Sequence, residues 1–278
     1  MSAATVSRTA ASAGRLSARW VISDSVAVTR RNLLKYVRVP TLLVFSTIQP
    51  VMFVLLFAYV FGGAVQISGI GSYKDFLMPG IFIQTVVFGS MQTGIGLAED
   101  VSHGMVDRFR SLPMARSAVL TGRTVSDAVR NLLVVMLMTG VGYAIGFRFS
   151  GGLLAAVGAI LLAVAFGHAF SWLSALMGLS IRDVESTQAA SFASIFPFVF
   201  ASSAFVPIPS MPGWLQAFAK VNPITLAVNG VRSLTFDPQT VHVVVGGTRT
   251  THVLQALLAI AVMLAIFVPL SIRAYRKT

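Results

Sequence analysis

Residues 98–118 read AEDVSHGMVDRFRSLPMARSA and carry six charged side chains, Glu99, Asp100, Asp107, Arg108, Arg110 and Arg116, between two long apolar runs. The neighbours of this stretch decide the fold. The chain has 278 residues, of which 55% are hydrophobic and only 11% charged. Its mean hydropathy is +0.80, outside the balance of soluble domains. The runs are too long and too many for a soluble core, so the bilayer is the solvent.

Six segments meet the need for roughly 20 mostly apolar residues per span: 41–61, 76–97, 125–147, 153–179, 187–206 and 253–272. The expected fold is all-α, a polytopic membrane protein with six transmembrane helices, an N-terminal amphipathic interfacial helix and short outer helices. An even number of spans puts both termini on one side. Lys and Arg beside span ends set the orientation. With the N-terminus in the cytoplasm, five of the 21 basic residues lie outside, namely Lys74, Arg148, Lys220, Arg232 and Arg249. Arg130 sits at the inner end of the third span, and the remaining fifteen lie inside. The 98–118 loop is therefore expected to be cytoplasmic.

The same clustering explains the net charge of +12. The cations flank hydrophobic runs and are not interleaved with aromatics, so nucleic acid is not an expected partner. Residues 1–20, rich in Ser, Ala and Arg, lack the apolar core and cleavage site of a signal peptide and read as a disordered cytoplasmic tail. Residues 21–278 form the membrane domain. With no cysteine, disulfide, thiolate and Cys-ligated zinc chemistry are excluded.

Residues 21–39, VISDSVAVTRRNLLKYVRV, have helical periodicity: Arg30, Arg31, Lys35 and Arg38 share one sector, and Ile22, Val26, Leu33, Tyr36 and Val37 the opposing one. Such a helix lies in the inner interface with its cations toward anionic lipid headgroups. It is either a plain anchor or one that also touches a cytoplasmic partner. The long outer loop opens PIPSMPGWLQAFAKVNPITLAVNGVRSL, residues 207–234, where Pro and Gly break the chain before two short helices. These are expected to be interfacial or re-entrant, packed on the outer mouth or touching a solute.

His168 is expected to be the only titratable group deep in a span, either packed and hydrogen-bonded or a proton carrier. Arg123, Asp127 and Arg130 form a charged turn near the interface that can pair at helical spacing. Uncharged polar groups, Gln49, Gln84, Gln92, Ser171, Ser174 and Gln188, either bridge helices or line a path for an amphipathic solute. Phe45, Phe82, Phe88, Phe196 and Phe198 would join such a path. No catalytic motif is present: there is no GxSxG or HExxH, the four histidines are too scattered to share a metal, and no lysine stands in GxxxxGK[ST]. Any ATP-derived work must come from another chain.

Within the loop, residues after Gly104 offer a short helix that Pro113 ends. Met105, Phe109 and Leu112 make an apolar ridge fringed by Asp107, Arg108 and Arg110. The ridge either lies on its own bundle or docks into a groove of a partner.

The segments FLMPGIFIQTVVFGS, EDVSHGMVDRFRSLPMARSAVLTGRTVSD and SMPGWLQAFAKVNPITLAVNGVR resemble ABC-2 type transport permeases, in particular the membrane subunit of the daunorubicin/doxorubicin-resistance exporter type. The resemblance runs from about residue 30 to the C-terminus, and only residues 236–253 depart from it. It implies a permease that pairs with a second copy, identical or related, and with separate ATP-binding subunits that hold ATP and Mg. In that reading residues 21–39 are the connecting helix. Glu99, Gly104, Met105, Asp107, Arg108, Phe109, Arg110, Leu112 and Pro113 are the coupling positions. The expected protein sits in a bacterial plasma membrane and exports hydrophobic drugs; a lipid or glycan is the alternative cargo. A secondary transporter independent of ATP is the alternative class, opposed by the lack of a mid-membrane carboxylate.

Overall fold

The computed structural model describes residues 26, 29, 30, 34, 38, 41–63, 67, 69–105 and 116–277. Among the described residues the chain is all-helical: α1 (Thr41–Leu56), extended by a π-turn (Phe57–Phe61), α2 (Tyr73–Ser102), α3 (Arg116–Ala144), α4 (Leu153–Ile181), α5 (Val184–Phe200), α6 (Gly213–Val221), α7 (Pro223–Thr235), α8 (Pro238–Val244) and α9 (Arg249–Lys277). Each of the six expected spans falls on a helix. Among the described residues four helices, α2, α4, α9 and Leu120–Ala144 of α3, are long and apolar enough to cross a membrane. The π-turn carries α1 on to Phe61, the expected end of the first span.

The fifth segment is shorter than expected. Helix α5 has 17 residues, about 26 Å at 1.5 Å per residue, and ends at Phe200 where the sequence suggested 206. Asn222 explains the stop. Its Nδ2 donates to the carbonyls of Phe198 at 2.7 Å and Ala201 at 3.2 Å, satisfying groups that the end of a helix leaves open. The Asn222 Oδ1 meanwhile accepts the Ile224 N–H at 2.9 Å, starting α7 with Pro223 in the first turn.

Helix α2 is the axis of the bundle. Every residue from Phe76 to Val87 is buried, and α1, α3, α4, α5 and α7 all pack on it. A helix apolar all round belongs in such a position. Helix α9 lies at the edge, its Leu254, Leu258 and Val262 exposed toward the lipid side. Asp183 caps α5 by accepting the Ser186 N–H at 2.8 Å. The Ser186 hydroxyl and N–H hold its carboxyl below the usual carboxylate range. Asp237 caps α8 in the same way through the Thr240 hydroxyl and N–H.

Helices α2 and α4 meet backbone to backbone at Gly94 and Gly178, with the Ser90 and Ser174 hydroxyls 3.4 Å apart one turn away. A Cβ on Gly178 would overlap the Gly94 carbonyl and lie 2.7 Å from its carbon. Gly178→Ala must push the two helices apart, for an expected loss of about 1–3 kcal/mol. Gly140 has open space around it, so Gly140→Ala is the control and is expected to be neutral or slightly stabilising. Thermal unfolding of both variants in one detergent measures the difference. Equal midpoints would mean that the close approach is not needed.

Candidate functional site

Polar side chains gather in two places: along the seam of α2 and α3 near the 98–118 loop, and around α7 at the opposite end. The seam is one antiparallel register. Arg123 Nη1 donates to Asp100 Oδ2 at 2.6 Å and to the Gly96 carbonyl at 2.9 Å. Seven residues further on, Arg130 Nη2 donates to the carbonyl of Gly89, itself seven residues before Gly96, and to Asn131 Oδ1 at 3.3 Å. Arg130 Nη1 lies 3.7 Å from Asp127 Oδ1, and the Thr93 hydroxyl donates to Asp127 Oδ2. Further along, Met78 packs at Gly142 and Lys74 Nζ donates to the Ile145 carbonyl at 3.2 Å.

Both glycines leave room for side chains of α3. A Cβ on Gly96 would sit 2.6 Å from Arg123 Cζ, and one on Gly89 would sit 2.5 Å from Asn131 Oδ1 and 3.2 Å from Arg130 Nη2. Each of these two arginines of α3 thus donates to a glycine carbonyl of α2 and has an aspartate beside it. Helix α4 closes the seam. His168 Nδ1 lies 3.4 Å from the Thr124 carbonyl, and the Trp172 indole donates to His168 Nε2 at 3.4 Å. Both ring nitrogens of His168 thus lie within hydrogen-bond distance of a partner.

This corrects two expectations. Asp127 and Arg130 are each only 3% exposed, so the bundle interior holds a carboxylate and an arginine besides His168. The turn Arg123, Asp127, Arg130 does not pair wholly within itself, because the partner of Arg123 is Asp100 on α2.

Of the coupling positions, Glu99 lies in the last turn of α2, and its backbone carbonyl accepts the His103 N–H at 3.0 Å. Gly104 has φ +66°, which a glycine adopts freely, and it separates the end of α2 from the helical Met105. Met105 is helical and half-buried. Asp107, Arg108, Phe109, Arg110, Leu112 and Pro113 lie outside the described residues. In the N-terminal segment Val26, Thr29, Arg30, Leu34 and Arg38 are all helical, with Arg30 and Arg38 exposed; Arg31 and Lys35 lie outside the described residues. The Thr29 hydroxyl donates to the Gly122 carbonyl at 3.0 Å, next to the Arg123 clamp.

At the opposite end Arg232 is 1% exposed. The sequence had counted it among outer-loop charges. Its Nη2 donates to the carbonyls of Phe76 at 3.1 Å and Ser203 at 2.9 Å, its Nη1 donates to Asn229 Oδ1 at 3.2 Å, and the guanidinium stacks 3.7 Å over the Phe76 ring. Helix α7 is thereby part of the core, with Ile224, Ala227, Val228 and Val231 fully buried. Helix α6 stays at the surface, exposing Trp214 and Val221. Beside it an aromatic ladder joins α5 to α1: Phe196 stacks on Phe200 at 4.2 Å, Phe200 on Phe205 at 5.1 Å, and Phe205 on Phe57 at 4.6 Å.

The residues expected along a solute path do not converge. Gln49 and Gln92 are exposed on α1 and α2, and Phe196 is exposed on α5. Gln84 is 2% exposed, its Oε1 without a hydrogen-bond partner among the described residues. Phe82 is in the core, edge-on to Phe147. Phe88 meets Phe192 across α2 and α5 at 5.9 Å, and Phe198 meets Phe218 of α6 at 5.5 Å. Nothing is described for the side chain of Phe45.

These elements define a polytopic helical membrane protein with Asp127, Arg130 and Arg232 buried between its helices. The ABC-2 type transporter family model matches residues 24–236, and the chain belongs to that family. It is similar to the daunorubicin resistance ABC transporter permease protein DrrB1 of Streptomyces coeruleorubidus, with 34% identity over 271 residues, covering 97% of this chain and 92% of that protein. It is also similar to a protein of Mycobacterium tuberculosis named a probable doxorubicin resistance ABC transporter permease, DrrC. That match has 27% identity over 221 residues and covers 77% of this chain and 78% of the relative.

Proposed function

We propose that this chain is the non-catalytic, membrane-spanning permease subunit of an ATP-driven exporter of hydrophobic or amphipathic drugs. The observation that carries the reading is the match along nearly the whole chain to a permease named for daunorubicin resistance. ATP and Mg are held by a separate ATP-binding subunit, and a second permease copy completes the translocation path. The chain sits in a bacterial plasma membrane with both termini in the cytoplasm, as the bias of Lys and Arg supports. Residues 1–20 form a cytoplasmic tail and 21–278 the transport domain.

In this reading the 98–118 loop receives the work. Closure of the ATP-binding subunits pushes on the Met105, Phe109 and Leu112 ridge, and the bundle re-packs from an inward-open to an outward-open arrangement. Glu99, Gly104, Asp107, Arg108, Arg110 and Pro113 shape and fringe that ridge. Gln49, Gln92 and Phe196, exposed and uncharged, can orient an amphipathic solute without trapping it. Gln84 can do so only if the helices around it part.

Copurification of the chain with an ABC-type ATP-binding subunit from the same cells tests the partnership, and daunorubicin accumulation in cells with and without the pair tests the cargo. In the copurified complex, Phe109→Ala or Arg110→Glu is expected to lower drug-stimulated ATP hydrolysis roughly tenfold, the size of a typical coupling free energy, with unchanged expression and thermal midpoint. Normal transport and hydrolysis in both variants would sink the coupling role.

A further inference from the structure

We infer that α2 and α3 form one rigid lever, locked by two arginine-over-glycine clamps, so that a load on the loop between them moves both helices together and neither slides along the other. The inference rests on the coupling role proposed for that loop and names the positioning residues that transmit its motion: Asp100 and Arg123 in the first clamp, Asp127 and Arg130 in the second.

Three observations converge on it. The clamps repeat at a seven-residue interval on both helices, from Gly96 to Gly89 and from Arg123 to Arg130. Seven residues is close to two helical turns, so both clamps lie on one seam. A one-turn slip of α3 would break every bond that crosses the seam, from Arg123 to Asp100 and the Gly96 carbonyl, from Arg130 to the Gly89 carbonyl and from Thr93 to Asp127, and would drive the guanidinium groups against side chains where glycine now leaves room; only the Arg130–Asp127 pair, within α3, would travel with the helix. The same register continues to the far end at Met78 with Gly142 and Lys74 with Ile145. An interface with matched contacts along its whole length has one low-energy register. The N-terminal helix, through Thr29 on Gly122, is attached to the same end.

The chain lacks cysteine, so introduced thiols are unique. The double variant Asp100→Cys with Arg123→Cys removes the first clamp, and a short bifunctional maleimide restores it covalently. In the complex with the ATPase, the unbridged double variant is expected to keep basal ATP hydrolysis but to lose daunorubicin-stimulated hydrolysis and transport roughly tenfold. Bridging is expected to bring them back. A bridged complex that is inactive while the unbridged one works would show that the helices must slide and would overturn the lever; full activity in both forms would overturn it as well.

A second measurement stands apart from the exporter reading. Spin labels on Ser102→Cys and Val125→Cys, in the permease alone in nanodiscs, are expected to give one narrow distance distribution that broadens on Arg123→Met. A broad distribution before that change would overturn the lever. Failure of the exporter reading would instead appear as no ATPase copurifying with the unmodified chain, and the spin-label result would still decide the lever.

Discussion

Arg232→Met is expected to remove most of the folded, detergent-extractable protein, the largest loss of any single substitution considered. The side chain is among the largest that are fully buried, and it ties three parts of the chain: α7, the start of α2 through Phe76, and the turn after α5 through Ser203. Two effects oppose each other. Arg232 is a buried cation balanced by carbonyl dipoles, an amide and a ring, and its Nε has no hydrogen-bond partner among the described residues; desolvation alone would make its removal favourable. Against that, methionine takes the guanidinium donor from the carbonyls of Phe76 and Ser203, at about 1–3 kcal/mol for each buried group, while the Asn229 amide oxygen keeps the Ser203 hydroxyl at 3.1 Å.

The two carbonyls outweigh the relief, because backbone carbonyls cannot turn away to find water. A net loss of about 3–5 kcal/mol is expected, a large part of a stability of roughly 5–15 kcal/mol. Arg232→Lys is expected to recover only part of it, since one ammonium cannot reach acceptors on both sides of a planar fork. Yield of monodisperse protein and the thermal midpoint in detergent measure both variants. An Arg232→Met protein as stable as the parent would show that the three carbonyl and amide bonds contribute nothing net.

The placement of the helices was legible in the sequence because apolar length is a local property. All six expected spans coincide with helices, and the breaks at Gly104 and Asn222–Pro223 fall where the residues indicated. Which side of a helix meets its neighbours was not legible. Gln49, Gln84 and Gln92 look alike in apolar segments, yet only Gln84 is enclosed, since a span that is apolar all round carries little signal of its buried face. Pairing across helices was equally hidden. The spacing of Arg123, Asp127 and Arg130 suggested an intrahelical set, whereas Asp100 on α2 captures Arg123. Arg232 was read as a loop charge because a topology count records where a cation lies along the chain, and nothing about carbonyls that converge on it from distant segments. The coupling ridge from Asp107 to Pro113 rests on the sequence alone.

Asp127→Ala is expected to be the second most damaging substitution, and the second clamp explains why the damage is one-sided. Asp127 accepts the Thr93 hydroxyl and faces Arg130, with both charged side chains nearly inaccessible. Removing the carboxylate leaves the Arg130 guanidinium buried beside the carbonyl of Gly89 and takes away the Asp127 charge that faces it at 3.7 Å. A broken buried pair of this kind costs about 3–5 kcal/mol, far more than the few tenths typical of an exposed pair. Adding Arg130→Met takes the stranded charge away as well, so the double variant is expected to be more stable than Asp127→Ala alone, by about 1–3 kcal/mol. The first clamp, partly exposed, should respond much less to Asp100→Ala. Unfolding in detergent across the four-member cycle measures the coupling between Asp127 and Arg130. If the double variant were as unstable as the sum of the two single ones, the ion pair would contribute nothing, and the seam would be held by its glycine contacts alone.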